Sequence, residues 1–89
     1  MRVKVRRTWW KVRDVDDLEN FGECVYAERT VELRAEQRPK DRLDTLIHEL
    51  LHALRPDFAE REIYAISRTL TEAIWKDSCR RTKTRRNGH

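Results

Sequence analysis

Glycine and proline are scarce in this chain, with two of each in 89 residues. No low-complexity linker and no internal repeat is present, so the chain is not an array or a string of tethered modules. Turns must then be made largely without glycine. Cysteine is scarce too. Cys24 and Cys79 are too few for a disulfide framework, and in a reducing compartment both read as free thiols. No apolar run approaches the roughly 20 residues of a membrane span. The opening MRVKVRRTWWKVRD lacks the apolar centre of a secretory signal. We therefore expect a cytoplasmic chain with no membrane partner.

Charge is abundant. Charged residues make up 40% of the chain against 38% hydrophobic, which suits one small globular unit with a heavily solvated surface. A domain of this size buries a thin core, and a bound metal is one way to staple it. The net charge of +4 is unevenly placed. Residues 80–89, RRTKTRRNGH, hold five basic residues and no acid, which leaves 15 basic against 16 acidic residues elsewhere. The expected division is a single domain over 1–78 and a basic, flexible tail over 79–89. Such a tail can touch nucleic acid weakly through phosphates, without sequence choice.

The apolar pattern places the elements. Val3, Val5, Trp9, Trp10 and Val12 among basic residues suggest a strand over 2–13, with one indole on each side. One tryptophan is then core, and the other covers an edge or meets a partner. The stretch DVDDLEN, continued by Phe21-Gly22, breaks that pattern. Strands over about 23–27 and 30–34 pair as a hairpin around Ala27–Thr30. Leu43, Leu46, Ile47, Leu50, Leu51 and Leu54 form a helical stripe from Pro39 to Leu54, stopped by Pro56. A second helix opens at Asp57, with Asp57 and Glu60 as an acidic capping box. Its apolar face is Ala59, Ile63, Ile66, Leu70, Ala73 and Ile74, and it ends near Trp75–Ser78, closed by Trp75. The fold class is α+β: an antiparallel sheet of about three strands, then two helices.

The first helix carries chemistry. TLIHELLHAL, residues 45–54, contains His48-Glu49-Leu50-Leu51-His52, the H-E-x-x-H pattern. Residues four apart share a helix face, so both imidazoles can converge on one Zn²⁺ ion. Glu49, rotated off that line, can take a proton from a water that the ion activates. The histidine pair points roughly 150° from the centre of the leucine stripe, hence to solvent or to a cleft. A third ligand must come from elsewhere. With only Arg55-Pro56 between the helices, Glu60 and Glu62 lie at the right height; Glu60 is the first choice and Glu62 the alternative. Tyr26 and Tyr64 are candidate oxyanion donors or packing residues. An extended substrate could pair with a sheet edge around Val31–Leu33.

TLIHELLHALRPDFAERE resembles the H-E-x-L-H helix and following P-D-x-x-E helix of small phage and bacterial zincin-like metallopeptidases, near the gluzincin type. The order of elements is similar over roughly residues 22–76. The resemblance implies a minimal zincin-like domain, with His48 and His52 as ligands, Glu49 as general base and Glu60 as third ligand. Larger gluzincins place that glutamate much farther along the chain. It implies zinc-dependent hydrolysis of a protein or peptide substrate, in the host cytoplasm if the chain is phage-encoded. The alternative is a non-catalytic module with structural zinc, holding nucleic acid or a protein through its basic ends. Glu49 favours the first reading; the small size favours the second.

Overall fold

The computed structural model describes residues 1–87, with side chains as far as Arg81. Four strands and two helices follow one another: β1 (Arg2–Val5), β2 (Thr8–Val15), β3 (Gly22–Val25), β4 (Thr30–Arg34), α1 (Pro39–Leu54) and α2 (Glu60–Asn87). The class is α+β as expected, but the sheet has four strands in the order β1-β2-β4-β3 and is mixed. β1–β2 and β3–β4 are antiparallel, whereas β2–β4 is parallel.

The expected single strand over 2–13 is therefore a hairpin. Val5 pairs with Thr8, so Arg6-Arg7 forms the whole loop. Arg6 takes φ 59, a left-handed conformation usual for glycine in such turns. No turn residue marks the spot, so the sequence hides it. The Arg6 guanidinium reaches the Leu54 carbonyl at 3.3 Å, where the last carbonyls of α1 lack partners. The β3–β4 hairpin matches expectation. Its loop is a 3-10 turn over Tyr26–Glu28 that ends on left-handed Arg29.

The parallel pair arises because the segment from Asp16 to Phe21 carries the chain past the position of β4 to the outer edge. Arg34 holds that crossing: its guanidinium donates to the Leu18 carbonyl at 2.9 Å and also to that of Glu19. Val31–Leu33 is thus not a free edge. β4 is paired on both sides, and β1 and β3 are the edges.

One face of the sheet is apolar and carries α1. Val5, Trp10, Val12, Val31 and Leu33 are buried together, and Val3, Cys24, Leu46, Leu50 and Ala53 pack against them. α1 spans the residues its leucine stripe predicts, with Pro39 at its first turn. α2 departs from expectation at both ends. It starts at Glu60 without an Asp57 cap, because Asp57 instead pairs with Arg55 at 2.8 Å. It also runs on to Asn87 instead of ending near Trp75–Ser78. The first part of the expected tail is thus helical; Gly88 and His89 lie outside the described residues. The buried face of α2 is Ile63, Ser67 and Thr71, while Leu70 and Ile74 are exposed. Small hydroxyl residues sit inside because they are satisfied there: Ser67 donates to the Tyr64 carbonyl at 3.1 Å and Thr71 to Asp44 at 2.9 Å. No described helix is long and apolar enough to cross a membrane.

Candidate metal centre

His48 and His52 stand one turn apart on α1, with ring centroids 4.9 Å apart. The turn after α1 brings α2 back over them. The paired Arg55 and Asp57, with the Arg55 guanidinium 4.2 Å over the Phe58 ring, tighten that corner. Glu60 is the first residue of α2, where the amide dipoles favour a negative side chain. Its carboxylate straddles both imidazoles: Oε1 lies 2.6 Å from His48 Nε2 and Oε2 2.9 Å from His52 Nε2. These are hydrogen-bond lengths, at which ring N–H groups donate to the carboxylate.

Ligand atoms of His48, His52 and Glu60 all lie within 4.8 Å of one another, so the group could hold a metal ion. Two imidazole nitrogens and a carboxylate oxygen are a donor set suited to zinc. The histidine side chains are 18% and 21% exposed and that of Glu60 is 68% exposed, so the site is walled on the helix side and open beyond it. Glu62 goes elsewhere. Its carboxylate accepts the Ala59 backbone N–H at 3.2 Å, satisfying a free donor at the start of α2. The capping and ligating roles are thereby divided between the two glutamates.

Glu49 lies beside this group and against β3. A Cβ on Gly22 would lie 2.5 Å from Thr45 Cγ2 and 3.0 Å from Glu49 Cγ. Only glycine lets the sheet edge come this close, and the contact half-buries Glu49. Burial pushes the Glu49 carboxyl above its ordinary range; the charges of Glu60 and Glu23 add to this, and His52 opposes it. The Cys24 thiol is likewise pushed up to about 11, chiefly by burial, with Glu49 adding and a hydrogen bond with Tyr26 opposing.

The two tyrosines differ. Tyr26 donates to the His52 carbonyl at 3.2 Å and meets the Trp10 ring edge-on at 6.0 Å, so it clamps the end of α1 to the sheet. Tyr64 stands on the open side, its ring 6.4 Å from that of His48. Arg68 fixes it by donating to its hydroxyl at 2.7 Å, which leaves the hydroxyl hydrogen free for another acceptor. Phe21, Gly22, Thr45, His48, Glu49 and Tyr64 line one cleft of about 280 Å³. A neighbouring cleft of about 510 Å³ continues past Phe21 and Tyr64 to Gln37 and Asp41.

The structure thus brings together His48, His52 and Glu60, sets Glu49 beside them, and separates Glu62. Phe21-Gly22 reads as part of the break after β2 in the sequence, whereas Gly22 opens β3 and both residues line the cleft. The sequence signal for Gly22 is its being a glycine where the chain enters a strand, the residue type that permits close approach of another element. Compared with protein-family models, curated proteins and solved structures, the chain has no significant match.

Proposed function

We propose that the protein is a zinc-dependent peptidase in which His48, His52 and Glu60 hold the ion and Glu49 is the general base. The observation that carries this is the reach of one Glu60 carboxylate to two imidazoles a turn apart, with Glu49 in the adjoining cleft. Three protein donors favour catalysis over a structural role: structural zinc sites are closed by four protein ligands, catalytic ones keep a position open. Among the described residues the only such group contains three.

Zinc would supply Lewis acidity, polarising a carbonyl and lowering the pKa of water. The chain's own residues do the rest. Glu49 packs against Gly22 at the edge of β3. Its raised proton affinity suits a group that takes a proton from water and returns it to the leaving amine. The Tyr64 hydroxyl, oriented by Arg68, is positioned to donate to a developing oxyanion. The substrate edge is assigned to β3. The Arg34 amide donates to the Phe21 carbonyl at 2.8 Å, so alternation along the antiparallel ladder turns the peptide groups of Gly22 and Cys24 outward. An extended peptide adding there would pass the cleft.

The test uses the full chain, zinc-loaded, with a randomised fluorogenic peptide library as probe. Metal analysis should give one zinc per chain, and His48→Ala should abolish it. Glu49→Gln should keep the metal and reduce cleavage by about 10²–10⁴-fold. Equal cleavage by Glu49→Gln and the parent would end the reading.

A further inference from the structure

The face of the sheet turned away from α1 carries a second feature. Alternation along β2 sends Trp10 into the core and Trp9 outward: Trp10 is 7% exposed, Trp9 51%. Trp9, the second residue of β2, thus holds a half-open indole on a face that is otherwise charged. Its neighbours on that face are cations. Across the β1–β2 ladder Lys4 pairs with Trp9 and Arg2 with Lys11, and Arg13 follows two residues on. All four are exposed. Arg2 and Lys4 lie 4.9 Å and 5.5 Å from the Trp9 ring centroid. The acids of this face lie toward the other edge, where Glu32 takes Arg13 at 3.0 Å and Glu23 sits opposite Glu32. The β1–β2 half is therefore a basic platform with one aromatic plane.

We propose that this platform binds single-stranded nucleic acid, with one base stacked on Trp9 and the adjoining phosphates on Arg2, Lys4 and Lys11. Bases stack on an aromatic plane whatever their identity, and cations follow the backbone. The alternatives fit less well. A duplex keeps its base faces covered. An acidic peptide leaves the indole without a counterpart. A bilayer surface needs apolar neighbours around the tryptophan, and here they are charged. Arg2 and Lys4 are long enough to swing onto phosphate as the base takes the ring. The platform lies across the sheet from the metal centre, so it does not depend on the peptidase reading.

The probe is a fluorescein-labelled 15-mer of thymidine, titrated by anisotropy with the full chain in 50 mM salt. Binding is expected, with log K falling against log salt at a slope of about −2 for three phosphates. Trp9→Ala should weaken it by about tenfold, the loss of one stacked base, and Trp9→Phe should restore most of it. The double variant Lys4→Glu, Lys11→Glu should abolish it. No binding would overturn the proposal. So would binding untouched by Trp9→Ala or by the charge reversal, which would assign it to the basic end of α2. Anionic vesicles retained in place of the oligonucleotide would mark a lipid-binding face and overturn it equally.

Discussion

Glu60 and Glu62 have the same side chain and lie two residues apart, yet they face different work. One sits on two imidazoles; the other closes the first turn of α2. Glu60→Gln should therefore raise the zinc dissociation constant by more than the 10–100-fold typical of an outer-shell loss, as read by competition with a chromogenic chelator. Glu62→Ala should leave that constant within about twofold and cost roughly 0.5–1 kcal/mol of stability, the value of a lost cap interaction. Gly22 decides a third outcome. Gly22→Ala puts a methyl group 2.5 Å from a short, branched side chain on α1. Since Thr45 cannot fold away, about 1–3 kcal/mol of overpacking should appear in urea melts. Cleavage should fall as Glu49 is displaced.

Elements were legible where one periodicity ruled. The α1 stripe and the Pro39 and Pro56 boundaries gave its limits, and His48, Glu49 and His52 could be placed on its far side from spacing alone. The β1–β2 hairpin was not legible, because Arg6 and Arg7 carry no turn signal and the left-handed Arg6 is compensated from another element, through Leu54. The parallel β2–β4 contact depends on a long-range crossing held by Arg34, which no local pattern encodes. On α2 the apolar periodicity predicts a buried face that includes Leu70 and Ile74, yet Ser67 and Thr71 take part of that place because Tyr64 and Asp44 satisfy their hydroxyls. Arg6→Gly separates the two effects at its hairpin. It relieves about 1 kcal/mol of left-handed strain and removes one exposed hydrogen bond. A thermal melt should show the variant as stable as the parent or slightly more so. Ile63, fully buried between the helices, should cost about 2–4 kcal/mol as Ile63→Ala.

For the whole molecule, the relevant scale is the roughly 5 kcal/mol that a small domain holds in reserve. Zinc at 100 times its dissociation constant would add about 2.7 kcal/mol. The melting midpoint should then rise by about 10–20 °C, and a chelator should reverse the rise. Acid acts through the surface pairs. The Arg42 guanidinium beside Asp14 holds its carboxyl below its ordinary value of 3.8. A depressed carboxyl contributes stability that is present above the unfolded value and lost as pH falls through the folded one. Arg55 likewise takes Asp57 down to about 2, and Lys40 lowers Glu72. The midpoint should therefore drop as pH falls below about 4, less steeply in Asp14→Asn and less steeply in high salt, because these pairs are exposed and screened. The strand order also dictates a sequence of events in time. β4 occupies the slot between β2 and β3, so the N-terminal hairpin must wait for a later stretch of chain before the sheet can close. Joining β2 to β4 is the most expensive loop closure in the sheet and belongs at the rate-limiting barrier. Val31→Ala should then slow refolding in stopped-flow traces, whereas Leu70→Ala, out on the second helix, should leave the refolding rate nearly as it was.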